Sequence, residues 1–177
     1  RRPGEPFVSR TDTMMLLSID PETNSAAMLS VPRDLYVEIP GHGRNRINTA
    51  FVYGAQNGGP AGGAALAMET VSYNLGVPID HFMMVDFSAF VRSIDAIGGI
   101  DVYVPRELYD AKYPDMNYGY DPLYVPAGDN HFDGALALKY ARTRYVDNDF
   151  GRAGRQQQVV LAVRNKMLSL GVNQALE

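Results

Sequence analysis

An apolar run over residues 13–19, with Met14-Met15-Leu16-Leu17-Ser18-Ile19 at its heart, predicts a buried strand. The polar cluster of residues 20–25 predicts a turn, and residues 26–31 the second strand of a hairpin. Pro32-Arg33-Asp34 breaks that strand, and an alternating strand-like pattern resumes over residues 35–39. After a loop at residues 40–43, Asn48 is placed to cap a short helix running to Ala55. A Gly-rich stretch over residues 58–63 precedes a helix over residues 64–75, which Gly76 ends. Residues 81–85 predict a strand, and Asp86 or Ser88 caps a helix over residues 89–97 closed by Gly98-Gly99. Another strand is expected at residues 100–104, then a long loop rich in Tyr, Pro and Asp at residues 105–131. Asp133 caps a helix to about Tyr140. Beyond a polar loop, residues 152–170 read as the longest helix, with apolar positions at Val159, Val160, Val163 and Met167. Strands and helices interleave, so the fold class is α/β, and the hairpin makes at least part of the sheet antiparallel.

Composition narrows the reading. The 177 residues suit one domain, and 46% hydrophobic with 20% charged residues is a folded composition. A net charge of -4 argues against nucleic acid as a partner. With no cysteine, disulfides and Cys metal sites are excluded. There is no apolar run long enough to span a bilayer. The chain opens on Arg1-Arg2-Pro3-Gly4 without a Met and reads as a piece of something longer. Of the 16 basic residues only Lys112, Lys139 and Lys166 are Lys. Arg offers a planar fork that grips phosphate with two hydrogen bonds, but a GC-rich genome would give the same bias, so placement matters more.

Four constellations carry possible chemistry. Arg10-Thr11-Asp12-Thr13 sits before the first strand, where Asp suits a hard cation and Arg a phosphate oxygen; a surface ion pair is the ordinary alternative. Arg33-Asp34 projects from the break after Pro32, and a solvated loop pair would look the same. Arg44-Asn45-Arg46-Ile47-Asn48 leads into an expected helix N-terminus, where free N–H groups favour anions, though a plain loop fits equally. The strongest is Tyr140-Ala141-Arg142-Thr143-Arg144, followed by Asp147, Asp149, Phe150, Gly151, Arg152, Arg155 and Gln156. Cations stacked at a helix start are disfavoured unless an anion joins them, and each charge-assisted phosphate contact is worth roughly 1.5–3 kcal/mol. Ion pairing with Asp147 and Asp149 in a structural network is the alternative.

Other chemistries are unsupported. His42, His81 and His131 show no zinc spacing, no Gly-x-Ser-x-Gly elbow occurs, and the Gly-rich stretch lacks the Lys-Ser/Thr of a P-loop. Ala64, Ala65, Leu66, Met68 and Val71 would build a core or, less readily, a lipid slot.

Taken together, these blocks resemble the LytR-CpsA-Psr family. The matching residues are Arg10 to Met14, Val31-Pro32-Arg33-Asp34, Arg46-Ile47-Asn48-Thr49-Ala50, Val85-Asp86-Phe87, Asp95 to Val102 and Asp133 to Leu138. Tyr140 to Arg144, Asp149-Phe150-Gly151-Arg152 and Arg155-Gln156-Gln157 complete them. The resemblance covers nearly the whole chain as a single domain. It implies a three-layer α/β/α fold with a central mixed sheet and an apolar groove for a polyprenyl chain. It implies a membrane-anchored, outward-facing phosphotransferase, anchored through a segment outside this chain. The activity implied is transfer of a polyprenyl-pyrophosphate-linked wall glycopolymer to peptidoglycan, with possible pyrophosphatase activity. A non-catalytic polyprenyl-phosphate sensor, or transcriptional attenuator, is the alternative. The resemblance also implies Mg²⁺, with Asp12 as metal ligand. Arg10, Arg33, Arg46, Arg142, Arg144, Arg152, Arg155 and Gln156 would line the phosphates, and Asp149 would orient or deprotonate the acceptor hydroxyl. One departure stands out. The family's first strand, ending in a Gly-x-Asp block with a further metal ligand, would fall before Arg1. Either this fragment binds metal poorly and leaves a sheet edge unpaired, or its N-terminal segment was lost.

Overall fold

The structure, a computed structural model, describes residues 10–23, 25–115, 119–143 and 149–171. These fall into two compact units divided between Met84 and Val85. The chain is α/β, as expected. Its strands pair two by two, every pair antiparallel, and no parallel pair occurs among the described residues.

In the first unit, β1 (Met14–Asp20) and β2 (Ser25–Val31) form the expected hairpin, in register from Met14↔Val31 to Asp20↔Ser25. Asp20 closes the turn by accepting from the Glu22 and Thr23 N–H groups and the Thr23 hydroxyl. The expected burial is not reached: Met14, Met15 and Leu16 are half-buried and the rest of β1 is exposed. Leu17 and Ile19 are exposed because β1 pairs with β2 alone among the described residues. β3 (Tyr36–Ile39) pairs with β4 (Gly43–Arg46), a strand that falls where a loop was expected. A 3₁₀ turn (Ile47–Thr49) follows, and the helix α1 (Ala50–Leu75) runs on as two segments across a kink at Gly59. Asn48 does not cap it: the residue lies inside the 3₁₀ turn.

The Gly-rich stretch has a steric purpose. Gly59 adopts φ 58°, a left-handed conformation open to glycine, and Pro60 starts the second segment. A Cβ on Gly54 would lie 2.2 Å from the Gly62 carbonyl oxygen, and one on Gly62 would lie 2.6 Å from that of Gly54. The segments therefore cross at backbone contact. Beneath them Val31, Val37, Ile39, Ile47, Ala50 and Val71 form the core. Asn74 sews α1 to β3, donating to the Glu38 carbonyl at 2.7 Å and accepting from its N–H at 3.3 Å. Residues 81–85 form no strand, contrary to the sequence pattern. No neighbouring strand pairs with them among the described residues, and Phe82, Met83, Met84 and Val85 are exposed.

In the second unit, α2 (Phe87–Ala96) begins at Asp86, whose carboxylate accepts from the Ala89 N–H and the Ser88 hydroxyl, each at 2.7 Å. β5 (Ile100–Val104) pairs with β8 (Gly128–Phe132), and β6 (Leu108–Asp110) with β7 (Leu123–Val125). The expected long loop thus holds three short strands. In β6 and β7 the alternation is hidden because the outward positions are Tyr109 and Tyr124 while Leu108, Leu123 and Val125 turn inward, and β8 is polar up to the buried Phe132. Asp133 caps α3 (Gly134–Arg142) through the Leu136 N–H at 2.7 Å. α4 (Asp149–Ser169) starts three residues earlier than expected. Ile94, Ile100, Val102, Val104, Phe132, Ala137, Tyr140 and Val159 belong to the core of this unit.

The Ala89 N–H, and after it the Ser88 hydroxyl, hold the Asp86 carboxyl below its ordinary value of 3.8. A depressed folded-state value stabilises the fold above the ordinary carboxylate range and loses that effect as pH falls through the depressed value. Asp86→Ala is therefore expected to lower Tm at neutral pH, and Asp86→Asn to retain most of it. The gap between wild type and Asp86→Ala should narrow as pH falls below the ordinary carboxylate range and through the depressed value. Thermal melts across that range check this, and a gap independent of pH contradicts it.

Candidate functional site

The second unit brings Arg142, Arg155 and Gln156 together around the C-terminus of α3. The last carbonyls of a helix have no partner within it and carry partial negative charge. Here α4 supplies the partners. Arg155, 6% exposed, donates from Nε to the Tyr140 carbonyl at 2.9 Å and from Nη2 to the Thr143 carbonyl at 2.6 Å. Gln156 donates to the Ala141 carbonyl at 3.2 Å. The adjacent pair Arg155-Gln156 thus caps α3 from outside.

Arg142 is the last residue of α3, where a cation is favoured. Its guanidinium carbon lies 4.1 Å from the centre of the Phe87 ring, and Nη1 donates to the Tyr113 hydroxyl at 3.3 Å. Thr143 donates its hydroxyl to Asp110, which is 1% exposed and also accepts from the Lys112 N–H at 2.9 Å. The 142–143 turn is thereby held by residues from α2, β6 and the segment after it. Lys139 pairs with Asp121 and lies over the Tyr113 ring. At the start of α4, Arg152 is 8% exposed and pairs with Asp149 at 2.8 Å, the exposed carboxylate of the first turn. Arg144 and Asp147 lie outside the described residues. Phe87, Tyr113 and Asp110 have no role in the sequence reading. Phe87 stood in a matched block, but only tertiary contact shows what it touches.

In the first unit, Asp12, Arg33, Asp34 and Arg46 form a chain of alternating charge. Arg33 reaches Asp12 at 2.9 Å and Asp34 at 3.2 Å, and Arg46 reaches Asp34 at 3.4 Å. The Arg33 carbonyl accepts from the Asn48 N–H at 3.2 Å, which fixes the bend after Pro32. Arg10 is exposed at the entry to this segment. Next to it in sequence, the buried Thr11 Oγ1 has no hydrogen-bond partner among the described residues, and neither has Asn48 Oδ1. A pocket of about 430 Å³ runs along α1, lined by Ala65, Met68, Ile79 and Phe82 with Glu69, Ser72 and Asp80. Of the candidate apolar set, Ala64 and Val71 are core, while Ala65 and Met68 line this pocket.

Among the described residues, no three His, Asp or Glu side chains gather as a metal cluster. No described helix is long and apolar enough to cross a membrane.

The model of the LytR_cpsA_psr family matches residues 2–173. A "Polyisoprenyl-teichoic acid--peptidoglycan teichoic acid transferase TagU" of Oceanobacillus iheyensis is 37% identical over 164 residues, which is 92% of this chain and 48% of that protein. The chain therefore spans about half the length of that curated relative. B. subtilis TagT has a crystal structure that superposes with a TM-score of 0.77 at 32% identity, covering 93% of this chain and 63% of that one. A structure of the "LytR-CPS2A-psr family protein YwtF (TagT) with bound octaprenyl pyrophosphate lipid" gives 0.73 at 31%, covering 91% and 61%.

Proposed function

The chain belongs to the LytR_cpsA_psr family, and on that premise we propose that it is the catalytic part of a phosphotransferase. The enzyme moves a polyprenyl-pyrophosphate-linked wall glycopolymer, such as a teichoic acid, onto peptidoglycan. The full protein acts on the outer face of the cell membrane, held there by a segment outside this chain. The observation that carries the reading is the seat of Arg142. A guanidinium stacked on one aromatic ring and tethered to a phenol is oriented in advance, yet only partly buried, so it can meet an anionic oxygen. The bound octaprenyl pyrophosphate of the YwtF structure supports the choice of ligand.

In this reading an acceptor sugar hydroxyl attacks the phosphorus next to the glycan. The bond from that phosphorus to the bridging oxygen breaks, and polyprenyl phosphate leaves with the electron pair. Such a transfer depends mainly on positioning and charge stabilisation. Arg142 stabilises charge on the phosphoryl oxygens, and Arg144 is assigned the same role. Arg152 and Asp149 act as a pair: Arg152 faces phosphate, and Asp149 orients the hydroxyl and takes its proton on to water. Arg155 and Gln156, assigned to phosphate from the sequence, support the turn that presents Arg142. Arg10, Arg33 and Arg46 are assigned phosphate oxygens as well.

Mg²⁺ prefers one or two carboxylates plus substrate phosphates and water. Asp12, a half-exposed carboxylate beside Arg33, fits such a sparse donor set and is the residue that would hold it. When bound, the ion supplies charge neutralisation on the pyrophosphate.

Incubating the full-length protein with a polyprenyl-pyrophosphate-linked oligosaccharide and peptidoglycan should yield linked polymer and free polyprenyl phosphate. Binding without turnover would replace the enzyme by a sensor. A smaller effect is expected at the Arg142 seat. Phe87→Leu removes the cation–π contact and should lower kcat/KM of transfer about 2- to 5-fold, whereas Phe87→Tyr should be near wild type. Equal kinetics for Leu and Tyr variants would show the ring has no part in it.

A further inference from the structure

We propose that the Tyr113 hydroxyl is a further phosphate-binding group, donating its proton to the same phosphoryl oxygen that Arg142 holds; this rests on the transferase reading above. The segment after β6 brings Tyr113 to the end of α3, where its hydroxyl oxygen accepts from Arg142 Nη1 at 3.3 Å. An oxygen that accepts in this way still carries its own proton, turned away from the guanidinium. Among the described residues no acceptor takes that proton. Tyr113 is 5% exposed, and buried donors are seldom left unspent. Arg142 is in the same position. Arg33, Arg46, Lys139 and Arg152 each pair with a carboxylate, whereas Arg142 has no such partner among the described residues.

An unspent phenolic proton thus lies in contact with an unpaired cation. A neutral acceptor would satisfy the proton and leave the charge unmet. One anionic oxygen meets both, taking an O–H and an N–H together, and charge-assisted hydrogen bonds are the strong ones. The phenol is also held in place. Its ring belongs to the core of the second unit, and its backbone carbonyl accepts from the Asp121 N–H at 2.8 Å. Lys139, paired with Asp121, lies over the ring at 5.7 Å. The hydroxyl therefore waits in one position, and binding an anion there costs little ordering. Arg142 supplies the charge, and Tyr113 adds a donor whose direction is fixed by packing.

The test is calorimetric titration of the full chain with octaprenyl pyrophosphate in detergent micelles, and with inorganic pyrophosphate as a soluble probe. Tyr113→Phe keeps the ring and removes only the hydroxyl. It should bind both probes about tenfold more weakly, with unchanged circular dichroism. In an Arg142→Ala background the same substitution should still weaken binding, by about threefold or more. Wild type labelled with ¹³C at tyrosine Cζ gives a reading that needs no substitution: the Tyr113 resonance should shift when inorganic pyrophosphate is added. Equal binding by Tyr113→Phe and wild type, or no shift at Tyr113 Cζ, overturns the donor and leaves the transferase reading standing. A loss that disappears in the Arg142→Ala background makes the phenol a support for the guanidinium alone and overturns the proposal. Weaker binding of inorganic pyrophosphate by Tyr113→Phe, in a protein with no affinity for octaprenyl pyrophosphate, keeps the donor and sinks the transferase reading.

Discussion

Arg142→Ala is expected to cut transfer by about 10- to 150-fold, the loss of one charge-assisted hydrogen bond at roughly 1.5–3 kcal/mol. The fold should survive. Arg142 is only partly buried, and its side-chain contacts among the described residues include one long hydrogen bond to Tyr113 and the face of Phe87. Together these contribute about 1 kcal/mol or less to stability. Arg142→Lys should recover part of the activity, since a point charge remains but neither the fork nor the flat stacking surface does. Transfer kinetics beside a urea melt check both halves. Unchanged kcat/KM would remove Arg142 from the site, and a large fall in stability would make it a structural residue.

Arg155→Ala should do the reverse and lower stability by about 2–4 kcal/mol. The guanidinium serves the Tyr140 and Thr143 carbonyls at the end of α3. Each buried acceptor left unpaired costs roughly 1–3 kcal/mol, and the lost guanidinium leaves a gap over the Tyr140 ring. Arg155→Lys should rescue little, because an ammonium cannot reach both carbonyls in the plane of the fork. The midpoint of urea unfolding should move with little change in slope. A variant as stable as wild type, but inactive, would return Arg155 to the phosphate.

These two arginines show where sequence reading stops. Both lie in one constellation of the sequence, and the charge count treats them alike. One meets a carbonyl pair and the other an aromatic ring, and that difference arises from partners 12 to 55 residues away in the chain. Asp34 is similar: it was expected as part of a loop pair, and it bridges Arg33 to Arg46 only because β4 returns beside the bend. The Gly-rich stretch was visible, but not that Gly54 and Gly62 touch.

What the sequence determined by itself is what depends on neighbours a few residues away. The β1–β2 hairpin, the Asp86 and Asp133 caps, the stop at Gly76 and the α/β class all follow from local backbone preference and short-range hydrogen bonds. The tertiary structure alone decided three things. It set the strands within residues 105–131, each too short to show a period. It left Leu17, Ile19 and residues 82–85 exposed, because burial requires a partner that hydropathy cannot name. And it set the direction of each guanidinium, because a long flexible side chain goes to the strongest acceptor within reach, and only the packed fold brings that acceptor near.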